Sequence, residues 1–161
     1  MPTSTELIKD LREKTGAGIM ECKKALEDAA GDLGKAALLI KERGLAVAEK
    51  KAGRETSQGV IDSYIHAGRI GALIELNCET DFVARTDDFK TLAREIAMQV
   101  AATNPTRISS ADASTDGDVP LLDQPYIRDA SKTVQGLINE TIAKLRENIQ
   151  LRRFARFELG G

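Results

Sequence analysis

The sequence is poor in the residues on which most protein chemistry is built. His66 is its only histidine. A metal site with two histidines is therefore excluded, and any Ser or Cys triad would have to use that one ring. Cys22 and Cys78 are the only cysteines. They lie far apart without CxxC spacing, which fits a reducing compartment rather than a disulfide framework and leaves both as small core residues. Aromatics make up only 4% of the chain. No uncharged apolar run approaches the ~18 residues of a membrane helix. The opening MPTSTELIKDLREKT mixes acids and bases and has neither the apolar stretch nor the cleavage site of a secretory signal. These absences lead to the expectation of a cytoplasmic protein. No G-x-x-x-x-G-K-[ST] loop occurs, and Gly16-Ala17-Gly18 lacks the third glycine of a dinucleotide fingerprint, with Glu21 in its place and no strand before it. No cofactor is expected.

What is present is an ordinary globular composition: 161 residues, 42% hydrophobic, 30% charged, with a formal charge of −2. A disordered chain would have fewer apolar residues and a larger net charge. The charge is uneven. Residues 1–54 hold 11 bases and 9 acids, residues 55–130 hold 6 and 13, and residues 131–161 hold 6 and 3. An acidic centre and a total near zero argue for a protein partner and against nucleic acid held through its phosphates. The bases Lys50, Lys51 and Arg54 read as a solvated helical face.

The pattern divides the chain into two parts. Residues 1–54 read as three short helices and a charged, partly helical linker. Thr3-Ser4-Thr5-Glu6 fits a capping box ahead of Leu7, Ile8 and Leu11. A second helix carries Ile19, Met20, Cys22, Ala25, Leu26 and Ala29 up to Gly31. Asp32 caps a third, with Ala36, Ala37, Leu39 and Ile40 facing inward and Gly44 as its stop. Residues 55–161 change to a period of two: Val60 to His66 and Ile70 to Cys78 form a hairpin around Ala67-Gly68-Arg69, and Ile70, Ala72, Ile74, Leu76 and Cys78 share a face. A strong amphipathic helix follows from Thr86 or Asp87 through Phe89, Leu92, Ala93, Ile96, Ala97 and Val100. Residues 105–130 hold three of the four prolines and read mostly as loop. Ser131 starts another helix, and Ile149 to Leu159 alternates as a final strand. The expected fold is α+β, a three-helix module followed by a three-stranded antiparallel sheet with packed helices.

Two stretches, LREKTGAGIMECKKAL at residues 11–26 and ELNCETDFVAR at residues 75–85, resemble the signatures of the elongation factor Ts family. The likeness continues through residues 87–104, SKTV and RRFARFEL, and fails only near residues 105–119, where the family has a longer excursion. The chain is thus similar to a short, single-core member. The resemblance implies an amino-terminal module like a ubiquitin-associated domain, and the role of guanine-nucleotide exchange factor for elongation factor Tu, without covalent chemistry. It further implies that Thr80, Asp81, Phe82 and Val83 form the motif that enters the partner's nucleotide-binding domain near its magnesium, with Ile19, Met20 and Lys23 docking on the same domain. It also implies that the hairpin tip at His66 touches a β-domain of the partner, and that a single-core chain works as a homodimer. Symmetric pairing has an independent reason, since a small three-stranded sheet leaves a face or an edge uncovered.

Residue type alone supports other readings. Phe82 is by type a core aromatic beneath the helix of residues 87–102, and Met20 by spacing a core residue. Lys23 is an ordinary solvated base and His66 an exposed turn residue. Two other functions stay open: a helical adaptor acting through residues 1–54 alone, and a small enzyme using Asp81 and Glu79.

Overall fold

A computed structural model of the chain describes residues 4–113 and 117–161. Helix α1 (Thr5–Thr15) begins at Ser4, whose hydroxyl accepts the Leu7 N–H at 3.1 Å. Thr3, expected to share that cap, lies outside the described residues. Gly16 ends α1 in the left-handed conformation, its N–H returning to the Arg12 carbonyl. Helix α2 (Ile19–Asp28) stops before Ala30 and Gly31, both at positive φ, with the Gly31 N–H bonded to the Leu26 carbonyl. Asp32 caps α3 (Leu33–Lys51) by accepting the Lys35 N–H at 3.0 Å. Leu11, Cys22, Ala25, Leu26, Ala36 and Ile40 form the core of this three-helix module.

Gly44 does not stop α3. The helix runs on to Lys51, a rod of about 28 Å. Gly44 is buried, and a Cβ there would lie 3.3 Å from the Cβ of Ala143 on α6 (Val134–Leu145), so the glycine permits close helix approach rather than a turn. Ile40 belongs to the module core, whereas Val47 and Ala48 pack into the second core. The first half of the expected partly helical linker, residues 45–51 of 45–58, is therefore the end of a helix shared between the two cores.

Strands β1 (Gln58–His66) and β2 (Ile70–Cys78) pair antiparallel, and β5 (Ile149–Glu158) lies on the other side of β2, so β1 and β5 are edges. The inward row of β2 is the expected one: Ala72, Ile74, Leu76 and Cys78 are buried, with Ile70 half-buried. Helix α5 (Asp87–Thr103) covers that face, burying Phe89, Leu92, Ala93, Ile96, Ala97 and Val100. Its cap is Thr86, which accepts the Phe89 N–H. Cys22 and Cys78 are buried free thiols, as expected.

The expected alternation of β5 is broken once. Leu76 faces Leu151 but Glu75 faces Arg153, so Arg152 is an extra residue and the side chains beyond it change faces. Phe154 then packs into the core, Arg156 reaches the Ala101 carbonyl at 3.1 Å, and Phe157 turns outward.

The segment expected as loop carries structure from Leu121 onward. A short 3-10 turn (Leu121–Asp123) precedes the small hairpin β3 (Pro125–Tyr126) and β4 (Asp129–Thr133). Buried Gln99 on α5 holds it, donating to Gln124 Oε1 and the Pro125 carbonyl at 3.1 Å each and accepting the Ile127 N–H at 2.9 Å. Ser131 thus lies in a strand, and α6 starts at Val134, capped by Thr133.

Candidate functional site

The path from β2 into α5 is a corner built from short polar side chains. Thr80 leaves the strand with extended backbone, and its hydroxyl accepts the Val83 N–H at 3.3 Å, capping the single turn α4 (Asp81–Ala84). Thr86 closes the turn from the far side, donating its hydroxyl to the Val83 carbonyl at 2.7 Å while accepting the Phe89 N–H. Val83 packs against the core and Ala84 is buried. Phe82, between these anchors, is 77% exposed. The structure therefore removes the reading of Phe82 as a core aromatic; Phe89 takes that place.

Behind the turn, the Glu147 carboxylate accepts the N–H groups of Glu79 and Thr80 at 3.2 and 3.0 Å and the Thr80 hydroxyl at 2.7 Å. The Cys78 thiol donates to the Thr80 carbonyl at 3.1 Å. Burial, and next the Glu147 charge, push that thiol up to about 11, so it keeps its proton at neutral pH. Asp81 pairs with Arg85 at 3.1 Å, one helical turn on, and both are exposed. A solvent-exposed pair of this kind is weak and can be exchanged for another partner.

The carboxylates near this corner do not converge. Glu75 faces Arg153 and Arg152, and its carboxyl is held below the ordinary range by the Asn77 side chain and then by Arg153. Glu79 turns to Arg54 and to the Asn148 N–H, and Asp81 to Arg85. Among the described residues no group of three His, Cys, Asp or Glu side chains could hold a metal. The arrangement offers a projecting aromatic and a flanking acid on a fixed turn, suited to entering a cavity of another macromolecule.

The second group sits at the start of α2. Gly16, at positive φ, lets the chain turn there, and Cys22, Ala25 and Leu26 take the inward stripe. Ile19 is exposed and Met20 is 72% exposed, so Met20 does not take the core position that spacing gives it. Lys23 is exposed one turn beyond and forms no ion pair among the described residues. Ile19, Met20 and Lys23 thus share one outer patch, apolar with a cationic margin.

His66 ends β1 opposite Ile70, and its Nδ1 lies 3.0 Å from the Tyr64 hydroxyl. The opposite end of β2 is Cys78, eight residues along, so the hairpin tip and the Thr80 corner are separated by about 26 Å. The hairpin tip and the Thr80 corner are therefore not one pocket, and only a ligand as large as a protein could span both.

Two features escaped the sequence. The Glu147 contacts join positions 67 and 68 residues apart, for which no local motif exists. The outer face of the sheet also carries exposed apolar side chains, Ile61, Ile65, Leu73, Phe157 and Leu159, around the Glu75–Arg153 ion pair, and the strand register places Ile65, Gly71 and Phe157 in one row. The bulge at Arg152 is what sends Phe157 to that side.

A model of the family described as Elongation factor TS matches residues 37–116 and 79–161. The chain is 48% identical over 193 residues to elongation factor Ts of Thermoanaerobacter sp. (strain X514), covering 98% of this chain and 95% of that relative. It is 44% identical over 194 residues to elongation factor Ts of Thermodesulfovibrio yellowstonii, covering 99% and 98%. It is 48% identical over 196 residues to that of Coprothermobacter proteolyticus, covering 99% and 100%. These aligned lengths exceed the 161 residues of the chain, so the relatives carry internal residues that it lacks.

Proposed function

The chain belongs to the elongation factor Ts family, and on that footing we propose that it binds elongation factor Tu in its GDP form and speeds release of the nucleotide during translation elongation. The observation that carries the proposal is Phe82, 77% exposed on a turn capped from both sides. A ring mostly in water adds little to folding, and an aromatic projecting from a turn fixed on both sides has the form of an anchor that a partner's pocket buries.

Exchange requires no covalent step. Exchange factor and GDP each weaken the other's binding to the partner by one common factor, and the free energy for this comes from contacts made only in the ternary complex. In this proposal Phe82 inserts between elements of the partner's nucleotide-binding domain. Asp81 gives up Arg85 and disturbs the polar network around the magnesium, the cation that fixes the β-phosphate and the switch segments. Thr80 and Val83 hold the turn in shape for that entry. Ile19 and Met20 supply apolar contact from α2, Lys23 an ion pair, and His66 a distant contact that sets orientation. GDP leaves, and GTP then displaces the factor.

We assign the contacts to two parts, a module of residues 1–54 and a core of residues 55–161; two hydrophobic clusters favour two parts, with the end of α3, at Val47 and Ala48, packing on the second. The core is proposed to pair with a second copy through the outer sheet face. Five exposed apolar side chains on or beside one face, flanked by two open edge strands, favour self-association by a two-fold axis. No nucleic acid, membrane or cofactor enters the scheme, and its setting is the cytoplasm. The test is GDP release from elongation factor Tu with and without the protein; no acceleration at saturating concentration refutes the assignment.

A further inference from the structure

Glu147 grips the backbone of residues 79 and 80, and Glu79 grips that of Asn148. The Glu147 carboxylate accepts the N–H groups of Glu79 and Thr80, and the Glu79 carboxylate accepts the Asn148 N–H at 2.7 Å. Asn148, only 2% exposed, donates its side-chain amide to the carbonyls of Ala52 and Arg54, just past the end of α3, at 3.3 and 2.8 Å. Arg54 also reaches Glu79 at 3.4 Å. An unbroken polar path thus runs from the end of α3, through Asn148, Glu79 and Glu147, to Thr80. The Thr80 hydroxyl then donates to Glu147 and accepts from Val83, on the far side of Phe82.

We infer that Glu147 is a positioning residue for exchange: its carboxylate fixes the Thr80 cap and so the direction in which Phe82 projects relative to α3, the helix that carries the Ile19, Met20 and Lys23 module. The inference rests on the exchange reading above. Three donors converge on one carboxylate at a chain corner outside the apolar core, and all three come from residues 79 and 80. Such charge-assisted bonds fix geometry tightly. A partner that must be met at two distant points needs their spacing set before binding, because ordering them afterwards costs affinity.

The test is a double-mutant cycle on GDP release from elongation factor Tu, with wild type, Glu147→Ala, Phe82→Ala and the double variant, using chains shown by circular dichroism to be folded. Amide hydrogen exchange at residues 79 and 80 is read alongside. Glu147→Ala should expose both amides and slow GDP release by about tenfold, whereas in the Phe82→Ala background it should slow release no further. Glu147→Gln keeps one acceptor oxygen for the two N–H groups and should lose only about threefold. If alanine unfolds the chain, the same cycle is run with glutamine. Equal losses in both backgrounds, or wild-type release with exposed amides, overturns the inference while leaving the role of Phe82 intact. Wild-type release by Phe82→Ala overturns the exchange role of Phe82 and this inference together.

Discussion

Replacing Phe82 by alanine separates folding from function. The side chain has roughly 200 Å² of surface, and with 77% of the residue exposed only about 50 Å² is covered. At ~25 cal/mol per Å² that burial is worth about 1 kcal/mol, which lowers the melting temperature of a chain this size by only ~2–4 °C. Phe89 provides the internal comparison: it is fully buried on the inner face of α5, and its truncation should cost ~3–5 kcal/mol. On exchange the order reverses. An aromatic anchor in a partner's cavity is worth about 2 kcal/mol or more, so catalysed GDP release by Phe82→Ala should fall at least tenfold. Melting by circular dichroism and stopped-flow release of a fluorescent GDP analogue measure the two quantities on one preparation. A large drop in melting temperature with release unchanged in the folded fraction would refute the reasoning.

Lys23→Glu should slow association with elongation factor Tu, with a smaller deficit at high salt, because an exposed charge acts on the encounter rate and is screened; an unchanged on-rate at low salt returns Lys23 to an ordinary solvated base. Phe157→Asp, at a residue 76% exposed on the outer sheet face, should shift light scattering from dimer to monomer without changing the circular dichroism spectrum. A dimer that survives this change does not use that face. Cys78 gives a pH dependence: its thiol is raised from 9.0 to about 11 in the folded chain, so the unfolded state loses the proton first. Stability should be complete below pH 9 and decline between about pH 9 and 11, and urea titrations should show a smaller decline for Cys78→Ala. Tyr126, also raised by burial and by its bond to Glu95, adds to the same alkaline loss.

The parts of the fold legible in sequence are those in which local chemistry and burial agree. Asp32 caps α3 and Thr86 caps α5 because a short side-chain oxygen three residues ahead of an orphan N–H finds it without tertiary help. The inward row of β2 was legible because one face is covered by α5 and the other is not. Misreadings arose where a distant partner decides. Gly44 looks like a helix stop in isolation and is a point of close approach to Ala143. Residues 125–133 look like loop and a helix start, yet Gln99 on α5 satisfies their backbone and holds a hairpin. Arg152 carries no mark of a bulge, although it reverses the side on which Phe157 stands.

The site divides in the same way. The signatures located Thr80–Val83 and Ile19–Lys23 as stretches of sequence, but residue type pointed Phe82 and Met20 inward, and both are exposed. Exposure depends on which neighbours take the core positions: Phe89 fills the space under the sheet, and Cys22, Ala25 and Leu26 fill the module. The support behind the motif was illegible, since Glu147 reads locally as one more surface acid after α6.

Exchange is linkage between protein and nucleotide, and it is measured by release of a fluorescent GDP analogue from elongation factor Tu by stopped flow, titrated with this protein and repeated with added magnesium. The release rate should rise with concentration of the protein to a plateau well above the spontaneous rate, and magnesium should oppose it. A complex that forms while GDP leaves at its spontaneous rate would contradict the proposed function, because binding without weakening the nucleotide is not exchange.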